Sequence, residues 1–182
     1  MTKSRRICRR WNRGRTLLRG FTLVEILIVV LILAIIAAIA LPRFSNASAT
    51  ARASMLADDV RVMRTQLAVF RGQHRGVSAG YPGLDPNQTP TEEAFIAHMT
   101  QSSKETGETA KPGTAGYRYG PYLREVPLNP VNGKSSVQII GDDEPFPVAG
   151  DDSHGWVYKP HSLIIKGDSS GADESGQPYF DY

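Results

Sequence analysis

The feature that most constrains this chain of 182 residues is an apolar run, residues 26–41, without a single polar side chain. It directly follows the segment Phe21-Thr22-Leu23-Val24-Glu25. As a helix rising about 1.5 Å per residue, residues 21–41 reach roughly 30 Å, the thickness of a bilayer's hydrocarbon core. Residues 1–20 hold one lysine, seven arginines and no acidic residue. By the positive-inside rule, the pattern predicts a single-pass membrane helix with a cytoplasmic N-terminus and residues 43–182 outside.

The basic charge is confined to that N-terminal tract. The formal net charge is +3, but residues 21–182 alone carry a net charge of −5. A basic groove is therefore not expected, and no nucleic acid is predicted as a partner. The single cysteine, Cys8, excludes a disulfide framework. The length suits one domain of ordinary size.

Three kinds of export signal are alternatives to a retained helix. A cleaved secretory signal has the same order of charge and apolar residues, and Ala38-Ile39-Ala40 offers a cleavage site. The apolar run is long for such a signal, and Glu25 within it costs a few kcal/mol. Ser4-Arg5-Arg6 lacks the apolar pair that a twin-arginine signal requires, and Cys8 precedes the run where a lipoprotein signal needs it after. The cleaved secretory signal stays open as the minor alternative.

The junction of the basic tract and the apolar run carries a specific motif. Gly20-Phe21-Thr22-Leu23-Val24-Glu25 resembles the prepilin peptidase motif of the type IV pilin superfamily. The resemblance implies cleavage between Gly20 and Phe21 on the cytoplasmic side and methylation of the new Phe21 amine, while the helix stays on the protein. Gly20 has no side chain to obstruct a peptidase, which agrees with that role.

The long helix is expected to continue beyond Pro42, a residue that kinks helices. Apolar side chains then recur at steps of three and four, which predicts an amphipathic helix whose apolar stripe packs on its own domain. The stripe consists of Ala49, Ala53, Leu56, Val60, Met63, Leu67 and Phe70. The sequence therefore predicts one helix from Phe21 to about Phe70, which is apolar on all sides at first and apolar on one side only later.

The rest of the chain predicts a small head. Residues 76–90 form a loop, Thr89-Pro90-Thr91-Glu92 forms a capping box with Pro90 at the first helical position, and a short helix extends to about Met99. Residues 101–116 are expected to be a mobile loop. Residues 136–140, 155–158 and 163–165 are expected to be strands of an antiparallel sheet against the long helix. The fold class is α+β, with a leader (1–20), a transmembrane and assembly helix (21–42) and a head (43–182).

The head strengthens the resemblance. A Tyr81-Pro82 loop, a short Glu-led helix and a Gly-x-Tyr-Leu-x-x-x-Pro-x-Asn-Pro stretch over residues 120–130 resemble the G-type major pseudopilins of type II secretion. The pilin-like fold this implies is a long helix packed on a small antiparallel sheet with a short extra helix. The implied function is that of a structural subunit of a pseudopilus, the periplasmic fibre that drives protein export. Residues 142–152, with their acids and prolines, depart from the family pattern.

The resemblance also implies partners and a location. They are copies of the chain itself in a helical fibre, the prepilin peptidase, minor pseudopilins, an inner-membrane assembly platform and membrane lipid. The expected location is the inner membrane, with the head in the periplasm. Two alternatives stay open: a type IV pilin of an extracellular fibre, and a membrane-anchored module that binds calcium or glycan.

An isolated carboxylate in an apolar helix indicates an assembly role for Glu25. The resemblance names its partner as the Phe21 amine of a neighbouring subunit. The alternative is that Glu25 reaches back to the cytoplasmic interface.

An enzyme is not expected, because the chain lacks a nucleophile elbow, a P-loop and a dinucleotide fingerprint. The histidines show no ligand spacing and are expected on the surface or in loops: His74, His98, His154 and His161.

One loop offers hard oxygen ligands. Residues 167–175 place Asp168, Asp173 and Glu174 with serines in a glycine-containing segment, which suits Ca²⁺. The G-type pseudopilins resembled here carry a calcium-binding C-terminal loop. The sequence therefore favours a solvated loop here and leaves calcium, held by these three residues, as the one candidate cofactor.

Overall fold

The computed structural model describes residues 20–182, with side chains described outside residues 39–47. The chain divides into two compact units, one ending at Pro42 and the other comprising Arg43–Tyr182. The predicted leader, residues 1–20, lies outside the described residues except for Gly20.

Helix α1 comprises Leu23–Gln73 and contributes to both units. Within the first unit, every described side chain from Phe21 to Ala38 is exposed. Tested over the described residues, no helix combines the length and the apolar character that crossing a membrane requires. The predicted span at residues 21–42 is thus not a finding of the structure.

Within the second unit, α1 buries one stripe, as its period of three and four predicts. The stripe consists of Ala53, Leu56, Val60, Met63, Leu67 and Phe70. All of these side chains except Ala53 pack with Trp156, Tyr158 and Ile165 of the sheet and with Phe95 and Met99 in one core cluster. The prediction that the stripe packs on its own domain is confirmed.

The head contains two small sheets. Strands β1 (Ser102–Ser103) and β2 (Thr109–Ala110) pair antiparallel, in a segment where the sequence predicted only a loop. Strands β3 (Val137–Ile139), β4 (Trp156–Lys159) and β5 (Ile164–Gly167) form the second sheet in that order. Antiparallel pairing of β4 with β5 confirms what was expected of residues 155–158 and 163–165, and the two strands form a hairpin.

The prediction of a wholly antiparallel sheet was wrong, because β3 pairs parallel to β4. A parallel pair needs a crossover of about a dozen residues or more to return the chain to the same end of the sheet. The segment between Ile139 and Trp156, which includes the acidic residues 142–152, is long enough for this crossover. The sheet is therefore mixed.

Helix α2 comprises Glu92–Thr100. Its N-cap is Thr91, whose hydroxyl oxygen accepts a hydrogen bond from the Ala94 N–H at 3.2 Å, and not Thr89 as predicted. Pro90 lacks an N–H, and the backbone of Thr91 is extended. The helix therefore begins at Glu92, two residues after Pro90, the predicted first helical position. The Glu92 carboxylate accepts the Val137 N–H at 2.7 Å and so covers the free edge of β3.

His98 contradicts the expectation of a surface or loop position because it is buried within α2, whereas His74 lies in the turn that follows α1. His74 and His98 are buried at the junction of α1, α2 and β1. The Nδ1 of His74 lies 2.8 Å from the Phe70 carbonyl oxygen and its Nε2 lies 2.9 Å from the Ser103 hydroxyl, while the Gly80 N–H donates to Nδ1 of His98. Ser103 and Gly80 lie 29 and 18 residues from the histidines they contact, which spacing alone does not reveal.

Burial makes these histidines sensitive to acid. Desolvation lowers the pKa of His98 to about 4 from its ordinary value of 6.5, and it also lowers the pKa of His74. The folded state therefore binds protons less readily than the unfolded chain. The stabilisation is complete above about pH 6.5 and is lost as the pH falls towards 4, by about 3 kcal/mol for His98 alone.

We expect His98→Gln, which retains an acceptor for Gly80, to lose part of this pH dependence. The measurement is the melting temperature of the full-length protein in detergent, from neutral pH to about pH 4. His161→Gln is the matched control, since the His161 side chain is 74% exposed. An unchanged pH dependence in His98→Gln would contradict the assignment.

Candidate processing and assembly site

Gly20, Phe21, Thr22 and Glu25 surround one open cleft of about 390 Å³. The structure thus brings together the three residues that the sequence assigned to processing and assembly. Phe21 is 73% exposed, and a Cβ added at Gly20 would meet no heavy atom within 4 Å. Nothing in the described chain blocks access to the bond between Gly20 and Phe21.

The first turn of α1 fixes the backbone position of Glu25. The Glu25 N–H donates to the Thr22 hydroxyl oxygen at 3.2 Å, so Thr22 satisfies one of the free donors of the helix end. An acidic side chain is also favourable at this end of the helix dipole. Among the described side chains, no basic group forms an ion pair with Glu25.

The apolar surface beside Glu25 has no cover among the described residues of its own unit. Leu23, Leu27 and Leu31 are each more than half exposed, as are their apolar neighbours Val24, Ile28, Leu33, Ile35 and Ile36. Contiguous exposed apolar surface of this extent is rare on a soluble monomer and marks contact with lipid or another chain. The arrangement can anchor and assemble the chain, and it offers no chemistry of its own.

The predicted calcium residues are not gathered into one site. Asp168 is buried, Asp173 is half-buried and Glu174 is exposed. Within residues 20–182, no cluster of three or more His, Cys, Asp or Glu side chains could hold a metal ion. Calcium binding at this loop stays a prediction.

Sequence reasoning missed two bridging amides, one buried (Asn129) and one half-buried (Asn132). Asn129 and Asn132 accept from Val131 N–H and Lys134 N–H, which are Asx turns that the Asn-Pro and Asn-Gly pairs indicate. Their side-chain N–H groups, however, donate to residues far along the chain, such as Gly155 and Asp168. No local signal reveals those long-range bonds.

The comparisons with known proteins agree with this geometry. The Prokaryotic N-terminal methylation motif matches residues 18–41. The chain is 26% identical over 111 residues to the type II secretion system core protein G of Aeromonas hydrophila, covering 61% of this chain and 66% of that protein. No solved structure matches at the same level of significance.

Two further relatives match parts of this chain. The type II secretion system core protein G of Klebsiella pneumoniae is 24% identical over 150 residues, covering 76% of this chain and 94% of that protein. The type IV major fimbrial protein FimA of Dichelobacter nodosus is 39% identical over 64 residues, covering 34% of this chain and 41% of that protein. The chain thus spans just under two thirds of the Aeromonas protein and two fifths of FimA.

The motif, the α+β fold and these similarities support the type IV pilin superfamily. Among the relatives reported, the chain is similar over most of its length to the type II secretion system core protein G.

Proposed function

We propose that the chain is the repeating structural subunit of a pseudopilus that drives protein export by type II secretion. The observation that carries the proposal is the fully exposed apolar segment that begins at Phe21 and has one acid, Glu25, in its first turn. Such a segment needs lipid before assembly and other subunits after it. The role is structural and mechanical, not catalytic.

The proposed life of the subunit has two stages. Residues 21–42 anchor it in the inner membrane, with the basic leader in the cytoplasm and the head in the periplasm. The prepilin peptidase then cuts after Gly20 and methylates Phe21. An assembly platform and minor pseudopilins act in building the fibre, and copies of this chain are its main partner.

Assembly in this proposal depends on one charge pair. A carboxylate within an apolar helix costs about 2.5–3.5 kcal/mol on insertion scales. Cleavage creates a cation at the Phe21 amine, which stays positive after methylation. Pairing this amine with Glu25 of a neighbouring subunit neutralises both charges where the dielectric constant is low, and it fixes the axial step between helices.

A type IV pilin of an extracellular fibre is the second candidate. The similarity to FimA favours it, because that match has the higher identity although it covers a shorter part of the chain. Immunogold labelling of cells distinguishes the two, since a pseudopilus stays in the periplasm and a pilus extends from the surface.

The mature protein is expected to begin at N-methylated Phe21. Gly20→Leu should abolish cleavage, because a bulky side chain obstructs the peptidase while the open surroundings of Gly20 leave the rest of the protein undisturbed. Intact mass of the membrane fraction measures this. Gly72→Ala, an exposed glycine outside the motif, is the control. A mature start after Ala40 would instead indicate an ordinary signal peptide.

Glu25→Ala and Glu25→Gln should be cleaved and retained in the membrane but should form little or no fibre, since the Phe21 amine is then without a partner. Fibre yield after shearing or cell fractionation is the readout, with processing and membrane content measured alongside. Glu174→Gln, an exposed acid of the head, is the matched control and should assemble normally. Wild-type fibre yield from Glu25→Ala would refute the charge-pair mechanism.

A further inference from the structure

Two loops of the head are joined by hydrogen bonds, in which a carboxylate of each loop accepts from donors of the other. The first comprises residues 150–154, at the end of the acidic segment, and the second comprises residues 167–170, at the end of β5. The Asp168 side chain reaches from the second loop into the first, where its Oδ1 accepts the Asp151 N–H at 2.9 Å. Its Oδ2 accepts the His154 N–H at 2.8 Å and the Ser153 hydroxyl at 3.1 Å. Asp168 is only 2% exposed, so these three donors stand in place of water.

The first loop in turn supplies a carboxylate that accepts from the second loop. Asp152 lies in it and accepts from the second loop, with Oδ1 bound to the Ser170 N–H at 3.2 Å and Oδ2 bound to the Ser170 hydroxyl. Each loop therefore supplies one carboxylate and the donors for the other. We refer to these two exchanged carboxylates and their donors as the carboxylate clamp.

A close backbone approach and a half-buried amide hold the two loops together. A Cβ added at Gly150 would lie 2.5 Å from the Ser169 nitrogen and 2.6 Å from its carbonyl oxygen, so only glycine fits at this approach. The side-chain amide of Asn132 donates to the His154 carbonyl at 2.7 Å and to the Asp168 carbonyl at 2.6 Å. The close approach at Gly150 and the amide of Asn132 together hold the two loops of the clamp in place.

The carboxylates of this region do not fit calcium as they stand. Calcium takes six to eight oxygen ligands with free lone pairs directed at one point. Both carboxylate oxygens of Asp168 and its carbonyl oxygen instead face N–H or O–H donors. Asp173 is similarly engaged, since Oδ1 accepts from Ser175 and Gln177 and Oδ2 accepts the Tyr182 hydroxyl at 2.5 Å. Glu174 is exposed.

We infer that the carboxylate clamp fixes the terminal loop without calcium, and that residues 150–154 supply the donors that replace the ion. A buried carboxylate needs either a cation or several hydrogen bonds to its charged form. The backbone N–H groups of a short loop can supply those bonds, because they converge as in an anion-binding nest. This gives the acidic segment, which departs from the G-type pattern, a definite structural role. The inference does not depend on fibre assembly.

The test is the melting temperature of the full-length protein in detergent, measured with excess calcium and with excess EGTA. The wild type should melt at the same temperature in both. Asp168→Asn should melt roughly 5 °C or more lower in both, because an amide N–H then faces the donors of the first loop. Asp143→Asn, at an exposed acid outside the two loops, is the matched control and should melt as the wild type does.

Gly150→Ala and Asp152→Asn provide a second test if Asp168→Asn does not fold. Each should lower the melting temperature equally with calcium and with EGTA, since one separates the two loops and the other removes the returning carboxylate. A calcium-dependent rise in the wild-type melting temperature that Asp168→Asn abolishes would overturn the inference. Wild-type melting of Asp168→Asn in both conditions would overturn it as well.

Discussion

The packing of one face of α1 on the mixed sheet is the constraint on which the head depends. Leu56 lies against β5 so closely that a Cβ added at Gly167 would be 2.7 Å from its Cδ1. Farther along the helix, the guanidinium of Arg64 donates to the Ile165 carbonyl at 3.2 Å and to the Tyr182 backbone oxygen at 2.8 Å. The helix therefore holds both the sheet and the terminal segment. The packed helix and sheet form a fixed frame, and the loops that join the strands are attached to it.

Periodic and local features of this frame could be predicted from the sequence. The buried stripe repeats at helical spacing, and the turn after Lys159 lies between two short β-branched or aromatic runs, so α1 and the hairpin of β4 and β5 were expected. The motif at Gly20 and Phe21 was equally evident, because the change from basic to apolar residues occurs within a few positions. In each case the signal lies within one segment of the chain.

Features that depend on distant partners could not be predicted. The parallel pairing of β3 depends on the path of the crossover, and the burial of His74 depends on Ser103, which lies on another element. The role of Asp168 likewise needs the donors of residues 150–154, a segment to which the sequence assigned no role. Composition identified the carboxylates, but only the tertiary structure identifies what each one binds.

The central claim is that Glu25 of one subunit pairs with the Phe21 amine of another. Its most direct measurement is solid-state NMR on fibres assembled from a mixture of two subunits, one with a ¹³C-labelled Glu25 carboxylate and the other with a ¹⁵N-labelled Phe21. The account predicts a short-range dipolar contact between the two labels in the mixed fibres. Well-ordered mixed fibres without that contact would contradict it.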